Sequence, residues 1–196
     1  MTPSPEPLNE GLSRSQAPGD LEVVRALVNS IDLESGKDEL TTPAELRRWL
    51  VERELLTESA DVTSSDVASV VELREALRVL LLANNGEEVD DAPARTLLDD
   101  VAATGGVRVR FEDGGSVRLE TTVRGVDGAK AEIVVRVAAA IGNGTWSRLK
   151  ACRADTCQWA FFDQSKNHSG AWCDMRVCGS RNKMRTYRSR KRAAPA

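Results

Sequence analysis

All four cysteines of the chain lie in one 27-residue window, as two Cys-x4-Cys pairs with fifteen residues between them: Cys152, Cys157, Cys173 and Cys178. Four thiolates that converge from two short loops are the usual ligands of a tetrahedral structural zinc ion. Two disulfides are the alternative, but disulfides are typical of secreted chains. The first 20 residues show no signal-peptide pattern. The sequence therefore predicts a Zn²⁺ site made by these four residues.

The same window argues against an enzyme. A catalytic zinc keeps one position open for water, whereas four thiolates fill the tetrahedron. His168 is the only histidine, and we expect it in an exposed turn over residues 167–170 and not among the ligands. No Ser-His-Asp or Cys-His set can be assembled elsewhere in the chain. The sequence thus predicts a protein that is not an enzyme.

A basic segment follows the last cysteine, and seven of the twelve residues over 181–192 are Lys or Arg: Arg181, Lys183, Arg185, Arg188, Arg190, Lys191 and Arg192. On a helix, Arg181, Arg185, Arg188 and Arg192 would share one ridge. A cationic helix that begins at a metal loop suits the neutralisation of phosphates, so DNA is the expected partner.

Other partners remain open at this point. The basic segment can instead dock on an acidic protein surface, and the acidic N-terminal part of this chain is one candidate. RNA is a further possibility if Trp159 or Phe162 is exposed and stacks on unpaired bases. A solvated tail that only aids solubility is the simplest alternative. The sequence has no coiled-coil heptads that would specify an oligomer.

Composition divides the chain in two. The 196 residues are 41% hydrophobic and 29% charged, as in a soluble globular protein. The net charge of -3 combines a balance of +9 over residues 148–196 with -12 over the rest. No apolar run approaches the roughly 18 residues of a membrane span, so we expect no membrane contact. We therefore expect a cytoplasmic location, which leaves the thiols reduced and free to bind metal.

The residues before the cysteines predict an α+β domain that is rich in helices. Helices are expected over residues 20–30 with Asp20 as a cap, after Thr42-Pro43, after Ser64-Ser65-Asp66, after Asp91, and over 129–141 with Ile141 buried. Apolar residues alternate over 107–111 and 117–123 around Asp113-Gly114-Gly115, which predicts an antiparallel hairpin.

The predicted organisation has three parts. Residues 1–19 form a disordered leader, residues 20–145 the α+β domain, and residues 146–196 a small four-cysteine zinc module with a C-terminal basic helix. The glycines over 142–144 mark the boundary. A module of about 50 residues has little apolar core, so we expect Trp159, Phe161 and Trp172 to pack around the metal.

The module resembles the CGNR zinc-finger family. The matching residues are Cys152, Cys157, Trp159, Phe161, Asp163, Ser165, Trp172, Cys173, Cys178, Gly179, Arg181 and Lys183. The first two thirds is similar to the ABATE domain, with matches at 27–30, 42–50 and 73–78. This resemblance implies a transcription regulator of a family named for stress induction. Two differences from the family concern nucleic-acid contacts: Ser180 replaces the Asn of the signature, and Gly170-Ala171 replaces an Arg pair.

Overall fold

The computed structural model describes residues 16–185. Within that range the fold is α+β, as predicted, with five complete α-helices, a further helical stretch over residues 180–185 and three antiparallel hairpins. The helices are α1 (Leu21–Val28), α2 (Pro43–Val51), α3 (Ser64–Asn84), α4 (Ala92–Thr104) and α5 (Gly125–Gly142). The strands pair in sequence order as β1 (Ile31–Asp32) with β2 (Lys37–Asp38), β3 (Arg108–Phe111) with β4 (Val117–Glu120), and β5 (Leu149–Ala151) with β6 (Ala160–Phe162).

Local signals start two of these helices. The Thr42 hydroxyl accepts a hydrogen bond from the Glu45 amide at 3.3 Å, and Pro43 occupies the first turn. Thr63 and Asp66 form a reciprocal capping box at α3. These caps satisfy amides that the helix leaves without partners. Asp20, in contrast, stands at the start of α1 without a side-chain cap hydrogen bond, so its predicted capping role is wrong.

The β3–β4 hairpin has the predicted strands, with Arg108 opposite Glu120 and Phe111 opposite Val117. Its apolar residues are nevertheless exposed, Phe111 by 82% and Val117 by 61%. The hairpin therefore stands out from the core, because two strands alone offer no second layer to cover their apolar face. Ile141 is 58% exposed at the end of α5, which corrects the prediction that it is buried.

One hydrophobic core extends from the N-terminal helices into the region of the cysteines. Leu27, Leu73, Leu77 and Ile133 are fully buried at its centre. The same cluster includes four residues of β5 and β6, namely Leu149, Ala151, Ala160 and Phe162. Packing thus continues across residues 142–144, where the sequence predicts a boundary, and that division stays a prediction.

Most of the leader predicted over 1–19 lies outside the described residues. Of its last four residues, Ala17 packs into the core with 8% exposure. Over residues 16–185, no helix combines the length and apolarity that a membrane crossing requires.

Candidate metal centre

Two short loops place the cysteines. Cys152 directly follows β5, and its amide donates to the Trp159 carbonyl at 3.0 Å, which extends the hairpin by one residue pair. Cys157 closes a turn through a hydrogen bond from its amide to the Ala154 carbonyl at 2.8 Å. The first pair therefore flanks the turn that joins β5 to β6.

The second pair lies at a π-helical turn over Met175–Gly179. Asp174 caps this turn by accepting hydrogen bonds from the amides of Arg176 and Val177 at 2.6 and 3.2 Å. Cys173 precedes the cap and Cys178 lies within the turn. A Cβ built on Gly179 would lie 2.4 Å from the Met175 sulfur. Only glycine lets this turn close without displacing Met175.

The structure brings all four predicted residues together. Their Sγ atoms lie within 4.8 Å of one another, with 3.6 Å between Cys157 and Cys173 and 3.7 Å between Cys173 and Cys178. A tetrahedron with Zn–S bonds of about 2.3 Å has S···S edges of about 3.8 Å, whereas a disulfide bond measures about 2.05 Å. All four are free thiols. The donor set fits a tetrahedral thiophilic ion such as Zn²⁺.

Proximity couples the ionisation of the four thiols. Hydrogen bonds from Cys157 and Cys173 lower the pKa of the Cys152 thiol to about 2. The hydrogen bond to Cys152 raises the pKa of Cys157 to about 12. It also raises the pKa of Cys173, and burial raises that of Cys178. One thiolate is therefore favoured, and further ionisation needs a bound cation to balance the charge.

A buried ion pair that the sequence reasoning missed supports the second loop. Lys150 Nζ donates to Asp163 Oδ2 at 2.7 Å and to the His168 carbonyl at 2.6 Å. Asp163 in turn accepts from the Ser165 and Gly170 amides at 3.0 and 2.8 Å. Burial alone would raise the pKa of Asp163, but these hydrogen bonds outweigh it and lower the pKa. The pair holds the turn that leads to Cys173. Alternation in β5 places Lys150 on the face opposite Leu149 and Ala151, and it gives no sign that the turn after Asp163 covers that face.

Gly170 also has a role in this turn. A Cβ at this position would lie 2.9 Å from the Asp163 carboxylate. The absence of a side chain therefore allows the amide of Gly170 to approach Asp163. His168 is exposed, with a positive φ of 51°, and is not part of the cysteine cluster. Its predicted place in an exposed turn is confirmed.

Amides from α1 and α3 attach the cysteine loops to the helical core. Asn29 forms two hydrogen bonds with the backbone of Ala160, at 2.7 and 2.9 Å. Asn85 donates to the carbonyls of Ala151 and Ala171 at 2.7 and 3.0 Å. These hydrogen bonds fix the orientation of the cysteine loops relative to α1 and α3, because a buried carbonyl that loses its donor costs free energy. Asn29, at the C-terminal end of α1, therefore also bridges to β6 across 131 residues.

The guanidinium of Arg78 reinforces this attachment. It donates to the Gln158 carbonyl at 3.0 Å and to the Val28 carbonyl at 2.8 Å. Gln158 directly follows Cys157, so α1, α3 and the first cysteine loop meet at one side chain. Sequence reasoning missed this residue, because an arginine in a helix usually faces water.

The aromatic residues of the module pack mostly inward. Phe161 and Phe162 are buried, and Trp159 and Trp172 are half-buried. The indole N–H of Trp159 is inaccessible to solvent. This arrangement supports the expected packing around the cysteines. Phe162 faces the core, so it is not the exposed stacking platform that the RNA alternative requires.

The basic segment begins as a helix. Residues 180–185, here called the basic helix, continue the π-helical turn of Cys178. Arg181, Lys183 and Arg185 are exposed on it. The other predicted contacts lie outside the described residues, namely Arg188, Arg190, Lys191 and Arg192. Two of the three described cations are already paired within the chain. Arg181 contacts Glu34 at 2.8 Å and Arg185 contacts Asp155 at 3.3 Å.

Comparison with known families agrees with this arrangement. A profile described as "CGNR zinc finger" matches residues 148–191. A second profile, described as "ABATE: Putative stress-induced transcription regulator", matches residues 21–144, more than half of the chain. Both matches confirm the resemblance and the order of its two parts. A search of curated proteins found no match to the sequence.

Proposed function

The chain belongs to the ABATE family and carries a CGNR zinc finger, and from this premise we propose that it is a zinc-dependent, DNA-binding regulator of transcription. The observation that carries the proposal is the direct continuation of the Cys178 turn into the basic helix, which presents exposed cations beside a metal centre. The proposed role is not enzymatic, and the proposed location is the cytoplasm.

Zinc is the metal we propose for the four cysteines. The ion would join the loop of Cys152 and Cys157 to the turn of Cys173 and Cys178. When bound, a structural Zn²⁺ supplies folding free energy of about 10–16 kcal/mol in small modules. The residues of this chain then determine the direction of the basic helix, because its first turn shares backbone with the Cys178 turn.

The helical domain would sense a signal or mediate assembly. Its attachment to the cysteine loops through Asn29, Arg78 and Asn85 supports this role. A change in α1 or α3 would act directly on the carbonyls of β5 and β6. The N-terminal region and the finger would therefore behave as one mechanical unit.

Salt titration of full-length protein on a labelled duplex tests the proposal. Contact with five to seven phosphates predicts a log-log slope of roughly -5 to -6. The double variant Arg181→Ala/Arg185→Ala should weaken binding to all sequences and make the slope shallower by about two. Arg95→Ala is the matched control, because Arg95 is 59% exposed on α4 and Arg181 is 58% exposed. A flat slope for the wild type would reject the proposal.

A second candidate function is a zinc-stapled module that docks on acidic proteins. The observation in its favour is that Arg181 and Arg185 each already contact a carboxylate of this chain, Glu34 and Asp155. A competition assay distinguishes this candidate from DNA binding. If polyglutamate displaces the protein from duplex DNA when both polymers are present at equal concentration of negative charge, the result would favour docking on acidic proteins. Stronger competition by single-stranded RNA than by duplex would instead favour RNA as the partner.

A further inference from the structure

A cleft lies between the first cysteine loop and the basic helix. It has a volume of about 80 Å³, and its lining includes Thr156, Trp172, Arg181, Asn182 and Arg185. One water needs about 10–15 Å³ of such space, so the cleft admits several waters. This space suits a small polar group such as one phosphate. Two guanidiniums, a hydroxyl and an amide supply donors to such an anion.

Both guanidiniums of the cleft are engaged by carboxylates. Arg181 Nη1 donates to both oxygens of Glu34 at 2.8 and 2.9 Å. Arg185 Nη1 donates to Asp155 Oδ2 at 3.3 Å. Glu34 lies in the β1–β2 turn, 147 residues from Arg181. A carboxylate and a phosphate are both anions whose oxygens accept hydrogen bonds from a guanidinium. The two acids therefore occupy donors that a phosphate would use.

The negative charge of the metal centre means that a phosphate must replace a carboxylate in the cleft and cannot simply be added to it. Four thiolates around a divalent ion leave a formal negative charge of about two units, and both Cys157 and Cys178 line the cleft. With Glu34 and Asp155 also present, a further anion meets repulsion. Binding of a phosphate becomes favourable only when a carboxylate leaves its arginine. The partner side chains are more than half exposed, so each can move into water at small cost.

We infer that this cleft binds one phosphate of the nucleic-acid backbone and that Glu34 and Asp155 compete with this phosphate for Arg181 and Arg185. The inference rests on the proposed function and adds its regulation. The β1–β2 turn of the helical domain holds one arginine of the basic helix. A signal that moves this turn would expose the arginine and raise affinity for DNA.

Charge-neutral substitutions in the full-length, zinc-loaded protein test the inference. Glu34→Gln and Asp155→Asn should each raise affinity for duplex DNA about two- to fivefold, the range that exposed ion pairs support. Glu58→Gln is the control, because it removes one negative charge at an exposed position outside the cleft. The control should change affinity less than either variant. Zinc content, measured by a chromogenic chelator, should be the same in all proteins.

A double-mutant cycle separates competition from a general effect of charge. The gain from Asp155→Asn should vanish in an Arg185→Ala background, because the competing pair no longer exists. Equal effects of Glu34→Gln, Asp155→Asn and Glu58→Gln, or a gain that persists without Arg185, would overturn the inference. Salt-dependent binding by the wild type would leave the proposed function intact in that case. Absence of binding by all variants would overturn both.

Discussion

The buried pair of Lys150 and Asp163 should be a main support of the cysteine loops. The side chains are 6% and 3% exposed and 2.7 Å apart. Asp163→Asn keeps the size of the side chain but removes its charge and leaves the ammonium of Lys150 buried without a counterion. Breaking a buried pair in this way costs about 3–5 kcal/mol. The substitution also disturbs the acceptors of the Ser165 and Gly170 amides.

Asp127→Asn is the matched control for this substitution. Lys130 and Asp127 are 2.8 Å apart, but the Asp127 side chain is 47% exposed. The chemical change and the length of the pair are nearly the same, so the two pairs differ in burial and in the two backbone amides that donate to Asp163. An exposed pair contributes about 0–1 kcal/mol. The two variants should therefore differ by about 2–5 kcal/mol in free energy of unfolding.

Urea unfolding in the presence of zinc measures this difference. Zinc transfer to a chromogenic chelator gives a second reading, because loss of the turn that leads to Cys173 should speed release of the metal. Asp163→Asn should release zinc faster than the wild type, and Asp127→Asn should not. A loss of stability no larger for Asp163→Asn than for Asp127→Asn would refute the reasoning from burial.

Three further predictions concern attachment, metal and pH. Asn85→Ala should cost about 2–3 kcal/mol in the same urea assay, since one buried and one half-buried carbonyl lose their donor. Asn167→Ala in the exposed turn should cost little. Zinc removal by EDTA should shift the unfolding transition by the same amount whether it is followed by far-UV circular dichroism or by tryptophan fluorescence, because β5 and β6 share one core with α1 and α3. Two separate unfolding transitions would contradict this prediction. Burial alone would raise the pKa of Asp38, but the hydrogen bond from Arg74 and other contacts lower it below 3.8. The pair therefore stabilises the fold above that pH, and the stability difference between wild type and Asp38→Asn should shrink as pH falls below it.

Much of the fold follows from signals that act over a few residues. The caps at Thr42 and Thr63 and the glycine turn of the β3–β4 hairpin depend on local contacts. The spacing of apolar residues marks the positions of the five helices. Local alternation did not show that Phe111 would remain exposed, because exposure depends on whether another layer covers the hairpin. Asp20 shows that a suitable residue type at the start of a helix is not sufficient, because its side chain makes no cap hydrogen bond.

The sequence by itself determined which set of four side chains comes together, because four cysteines at short spacing can converge through two tight turns. Tertiary structure decided how that set is held and what faces it. Asn29 meets Ala160 across 131 residues, and Arg181 meets Glu34 across 147. Such pairs depend on the angles at which α1, α3 and the β1–β2 turn pack. Spacing along a chain does not encode those angles, since they arise from the joint packing of one core.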